Sequence, residues 1–123
     1  MKETENIIVQ KSYRFALEIV KLYKLLSETK KEFTLSKQIL KSGTSIGANV
    51  NEAMESVSKA DFVNKLSISL KEARETAYWL NLLKDSDYLP SDEYQDLNSE
   101  CNEIIKILKS IIITTKDKYL TKS

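Results

Sequence analysis

The chain has 123 residues, a formal net charge of +1, 30% charged residues, one proline, two glycines, one cysteine and no histidine. That length sets the expectation of one domain over residues 1–123, able to bury a core without disulfide or metal staples. The missing histidine excludes Ser/His/Asp and Cys/His catalysis and the Glu-x-x-His metal pairs that helical bundles use. The near-neutral balance gives no overall electrostatic case for nucleic acid or membrane.

Helix 1 is expected over about residues 5–28. Ile8, Ser12, Phe15, Ile19, Leu22 and Leu26 step by four and three, the seam of a packed helix, and Ala16, Val20 and Tyr23 widen it. Thr4 or Asn6 is the expected cap. Helix 2 is expected over about 34–57, starting at Thr34 or Ser36, with the seam Ile39, Gly43, Ile46, Val50, Ala53 and Val57. Gly43 therefore falls on a core position. A glycine inside a helix costs about 1 kcal/mol relative to alanine, so its presence predicts that another backbone packs close there.

Helix 3 is expected over about 59–85, with Ser58 and Asp61 as a capping box and Val63, Leu66, Leu70, Ala73, Ala77 and Leu80 as its seam. Asp85 to Pro90 is the strongest turn signal. Ser91 is the expected cap of helix 4, over about 91–117, with Asp92 and Glu93 in the first turn. Tyr94, Leu97, Cys101, Ile104, Leu108, Ile111 and Thr115 form the fourth seam. The residues after about Lys118 are expected to fray. Four such helices with short links predict an all-α, antiparallel up-down-up-down four-helix bundle.

Few residues offer chemistry. Gly43-x-x-x-Gly47 is no phosphate loop, because no Gly-Lys-Ser/Thr follows and no strand precedes it. Cys101, on a seam, reads as a small buried hydrophobe; a single cysteine and the absence of a leader or membrane span lead to the expectation of a cytoplasmic protein. No cofactor or metal is called for. Ser42, Ser45, Asn49, Glu52 and Ser56 line one shoulder of helix 2, and Lys65, Ser69, Glu72 and Thr76 one shoulder of helix 3. Three readings stand: two solvated shoulders, two stripes that meet with Asn49 and Glu52 bonded to Lys65 and its neighbours, or a catalytic pair Glu52 and Glu72.

Two surface features complete the inventory. Seven aliphatic residues between Ile104 and Ile113 cover most of the circumference of helix 4, and Leu17, Leu25, Ile68, Tyr78 and Leu82 lie off their seams, a pattern that predicts self-association. Residues 1–41 carry nine Lys/Arg against five Asp/Glu. Lys11, Arg14, Lys21 and Lys24 on helix 1 are the candidate nucleic-acid-binding residues, and a ring of copies would multiply their field.

The stretch Gln38-Ile-Leu-Lys-Ser-Gly-Thr-Ser-Ile-Gly-Ala-Asn-Val-Asn-Glu-Ala53 resembles the hallmark block of the 23S rRNA intervening-sequence proteins. Ser42, Gly43, Ser45, Ile46, Gly47, Asn49, Glu52 and Ala53 are its motif positions here. Ser58-Lys-Ala-Asp-Phe-Val-Asn-Lys-Leu66 and Lys71-Glu-Ala-Arg-Glu-Thr-Ala-Tyr-Trp-Leu80 resemble the second block, and Lys11-Ser with Phe15-Ala fits the opening. The resemblance implies an antiparallel four-helix bundle that assembles into pentameric rings. Relatives include the accessory protein of diversity-generating retroelements, which partners a reverse transcriptase and binds nucleic acid through a basic ring surface. The resemblance supplies no catalytic residue. The functional expectation is a non-enzymatic homo-oligomeric scaffold or adaptor associated with RNA or an RNA-processing partner, with direct nucleic-acid binding through helix 1 as the alternative.

Overall fold

A computed structural model describes residues 2–120. Four α-helices account for most of them: α1 (Glu3–Lys24), α2 (Leu35–Met54), α3 (Lys59–Asp85) and α4 (Ser91–Thr115). No strand occurs among the described residues. Helices adjacent in sequence pack side by side and α4 returns to α1, closing the antiparallel bundle. The pair α2–α3 is the most extensive and the α1–α4 seam the thinnest.

The periodicity places the core. Ile8, Ser12, Phe15, Ile19, Leu22 and Leu26 are all buried on α1 and the turn that follows it, as are Ile39, Gly43, Ile46, Val50 and Ala53 on α2. On α4 the buried set runs from Leu97 through Cys101, Ile104 and Leu108 to Thr115, with Tyr94 half-buried. The aliphatic run of α4 is mostly core. Ile104, Leu108, Ile111 and Ile112 are buried, Ile105 and Ile107 pack against them, and only Ile113 of the seven is exposed. A helix wedged between two neighbours needs a wider apolar stripe than one seam supplies.

The structure departs from the spacing in four places. α1 ends in a π-helical turn, Leu25–Thr29, in which Lys30 N–H donates to the Leu25 carbonyl at 3.1 Å. α2 stops at Met54, so Val57 leaves the helix and is 96% exposed instead of completing the seam. The innermost line of α3 runs through Ser69 and Thr76, with Leu70 and Ala77 only half-buried, because the α2 face opposite offers hydroxyl and carbonyl partners. π-helical geometry also continues α4 through Lys116–Leu120; the fraying expected beyond about Lys118 falls partly on residues 121–123, outside the described residues.

The caps differ as well. Ser58 caps α3 as expected, its hydroxyl accepting from Asp61 N–H at 3.0 Å. α1 begins beyond Lys2, ahead of Thr4 and Asn6, with no side-chain cap. Pro90 holds the cap position of α4, its fixed φ suiting entry to a helix, so Ser91 is the first helical residue instead of the cap. At α2 neither Thr34 nor Ser36 caps. The Glu32 carboxylate does, accepting from the N–H groups of Thr34, Leu35 and Ser36 at 3.2, 3.1 and 2.7 Å. Three orphan donors of the first turn thus end on one anion, where the helix dipole also favours negative charge.

Candidate functional site

Residues 42–53 lie within α2, between α1 and α3. The two glycines meet α1 in different ways. A Cβ built on Gly43 would stand 2.8 Å from both Cγ1 and Cγ2 of Ile19, so Gly43 is the socket for a side chain. A Cβ on Gly47 would meet the Ser12 carbonyl oxygen at 3.4 Å, which is ordinary contact. The close approach that the spacing assigns to Gly43 is made by Ile19 of α1, down to its Cβ at 3.2 Å, and the Ser12 backbone of α1 lies opposite Gly47, one turn along. Ile46 and Ala53 are buried on the core side of the same helix.

The polar shoulders of α2 and α3 do meet, through hydroxyls more than through charges. Ser69 donates to the Ile46 carbonyl at 2.8 Å. The hydroxyl oxygens of Thr76 and Ser42 are 2.9 Å apart, and Thr76 also lies 2.8 Å from the Glu72 carbonyl. A hydroxyl carries one proton. The Ile39 carbonyl is a poor acceptor for Ser42 at 3.5 Å, so the consistent arrangement has Ser42 donating to Thr76 and Thr76 donating to Glu72. Glu52 and Lys65 approach to 3.8 Å at the exposed edge, a contact worth well under about 1 kcal/mol. Asn49 turns back on its own helix, donating to the Ser45 carbonyl at 2.8 Å, and Ser45 donates to the Lys41 carbonyl at 2.6 Å.

Glu52 and Glu72 do not form a couple. Glu52 is engaged by Lys65, and Glu72 is held above the usual carboxylate range by partial burial and then by Glu75, with Lys71 and Lys41 pulling the other way. Cys101 donates to the Ala73 carbonyl at 3.2 Å, and burial pushes its thiol up to about 12, so it stays protonated and unreactive at neutral pH. No group of three His, Cys, Asp or Glu side chains suited to a metal ion occurs among the described residues, and no helix there is long and apolar enough to cross a membrane.

The basic residues of α1 divide into two kinds. Lys11 pairs with Glu103 of α4 at 2.7 Å, and Lys21 lies 3.4 Å from Glu18. Arg14 and Lys24 are exposed, with no carboxylate at ion-pair distance among the described residues. The field that residues 1–41 suggested is therefore partly consumed inside the chain.

Two features escape the periodicity. One is the exposed Phe33 beside the Glu32 cap. The other is a cleft of about 320 Å³ between α1 and α4, lined by Leu22, Leu25, Leu89 and Leu97 below and by Glu18, Lys21, Glu93, Asp96 and Glu100 around its rim. The cleft's leucines read as seam residues and its acids as an ordinary helix start, so only the thin α1–α4 packing reveals them as one surface.

The search of curated proteins gives no match. Among solved structures, the chain is similar to a protein of unknown function from the S23 ribosomal protein family of Bacteroides thetaiotaomicron. The two share 53% sequence identity and a TM-score of 0.88, over 89% of this chain and 98% of that one. The model of the 23S rRNA-intervening sequence proteins matches residues 4–110, taking in both sequence blocks and all of α1 to α3 except the first residue of α1. With that match over most of its length and the same fold as the neighbour, the chain belongs to the 23S rRNA-intervening sequence protein family.

Proposed function

We propose that the protein is a non-enzymatic scaffold or adaptor of the cytoplasm that self-associates and works with RNA or an RNA-processing partner. The observation that carries this reading is the set of large apolar side chains left outside a filled core: Tyr13 at 62% exposed, with Leu17, Ile68, Tyr78 and Ile113. Such residues on several helix faces of one small bundle favour burial against further protein. A ring of five copies is the form that the family resemblance implies, and the family's description supports an RNA context. Light scattering at micromolar concentration is expected to give a multiple of 14.1 kDa. A particle of 14.1 kDa removes the self-association reading.

Direct nucleic-acid binding is the second reading, supported by the exposed Arg14 and Lys24. Filter binding with structured RNA and with DNA tests it. Affinity is expected to fall steeply with salt, and to be lost on changing Lys21→Glu and Lys24→Glu together. No retention of either nucleic acid at low salt rejects it and leaves a protein partner as the adaptor's target.

A further inference from the structure

We infer that the loop between α1 and α2 is a preformed docking knob, and that it seats in the acid-rimmed leucine cleft between α1 and α4 of a second copy of this chain.

The knob is rigid where a loop of its kind is usually loose. Glu32 binds three backbone N–H groups of α2 through its carboxylate, and its own N–H donates to the Leu26 carbonyl at 2.8 Å. Lys31 is held at φ 56°, a left-handed conformation that costs a side-chain-bearing residue free energy and here has no glycine to relieve it. The hydrogen bonds of Glu32 hold the loop in this conformation against that cost. Phe33 stands 54% exposed, and its sequence neighbours Lys30, Lys31 and Lys37 are exposed as well. The cap occupies the Glu32 carboxylate, so the local charge presented to solvent is dominated by the lysines. An aromatic carried on a loop already held by backbone hydrogen bonds loses less entropy on binding than one on a free loop.

The cleft has the complementary character. Its floor is four leucines, of which Leu25 is still 36% exposed. Its rim carries Glu93, Asp96 and Glu100, and its one lysine, Lys21, is engaged by Glu18. The rim acids crowd one another: after partial burial, Glu18, Asp96 and Glu103 are what hold Glu100 above the usual carboxylate range, and only Lys11 opposes them. Cations entering the cleft would relieve that repulsion, and an aromatic ring would cover the leucines.

The placement on the fold permits the contact to repeat. α1 ends, and α4 begins, at the end of the bundle where the α1–α2 loop lies. The cleft opens on the α4 flank of α1 and the knob sits on its α2 flank. Each copy thus offers one knob and one cleft on different sides, a heterologous contact that closes into a ring when the rotation between neighbours divides the circle.

This inference rests on the self-association reading, and one set of light-scattering measurements separates the two. Lys30→Glu with Lys31→Glu is expected to shift the protein from its assembled mass to 14.1 kDa, and so is Glu93→Lys with Asp96→Lys. Combining all four changes in one chain restores opposite charges across the contact and is expected to restore the assembled mass. Phe33→Ser, at unchanged helical circular dichroism, is expected to dissociate the assembly as well. An unaltered protein of 14.1 kDa defeats self-association and this contact together. An assembly unaffected by either charge reversal, or by Phe33→Ser, keeps self-association and overturns this contact. Two dissociated variants whose combination stays dissociated overturn the pairing of these two surfaces.

Discussion

Gly43 and Gly47 have the same identity, the same helix and nearly the same burial, yet the structure assigns them opposite responses to one methyl group. At Gly43 the new Cβ meets Ile19, a β-branched residue that is fully buried and held to one rotamer by its helix, so the neighbour cannot yield. Gly43→Ala is expected to lower stability by about 1–3 kcal/mol despite its better helix propensity. At Gly47 the contact is ordinary, and Gly47→Ala is expected to gain up to about 1 kcal/mol. Urea titrations of the two variants check the pair, and adding Ile19→Ala to Gly43→Ala should recover part of the packing clash. Glu100 makes a second residue-scale prediction. Its folded-state proton affinity is raised, so its charged form opposes folding above that range, and the penalty fades as pH falls toward the ordinary carboxylate value. Glu100→Gln is therefore expected to raise the melting temperature at pH 7 and to give no gain near pH 3, which two thermal melts would read.

At the scale of the helix, the ends carry contacts of their own. Glu32→Ala removes the acceptor shared by three N–H groups at the start of α2 and is expected to cost about 1–2 kcal/mol, measurable by thermal melting. Ser58→Ala removes one such bond and is expected to cost less. Sequence periodicity located the helices well, because burial on a regular helix repeats every 3.6 residues: every seam residue of α1 is buried, and α3 keeps the bounds its caps suggested. It located the ends less well. Glu32 lies outside the usual set of capping residues, and its role depends on a loop bent through Lys31 that no local spacing encodes. Of the readings open for the polar shoulders, the one in which they meet holds for Ser69 and Thr76, both buried, because hydroxyls can be satisfied by a carbonyl or hydroxyl of the neighbouring helix. The candidate basic site was legible as a charge count on α1, but the pairing of Lys11 with Glu103 crosses 92 positions in sequence and follows only from the closure of the bundle. The acid-rimmed cleft shares that dependence, since its two walls come from opposite ends of the chain.

For the molecule as a whole, the unequal helix seams set a hierarchy of local stability. α2 and α3 share the broadest packing, while α1 and α4 meet along the thinnest and have no loop joining them. Amide exchange is expected to be slowest in the middle of α2 and α3 and faster in α1 and α4, a pattern that mass spectrometry of deuterated protein would map. Equal protection of all four helices would contradict it. The hydroxyl contacts between α2 and α3 give that difference a further meaning. Apolar surfaces tolerate sliding, but Ser69 on the Ile46 carbonyl and Ser42 on Thr76 can be made at one longitudinal offset only. Moving α3 by one helical turn, about 5.4 Å, would take the Ser69 hydroxyl off the Ile46 carbonyl and part Ser42 from Thr76, which keeps its bond to Glu72 in its own helix. The hydroxyls act as a vernier that sets the register of the two central helices.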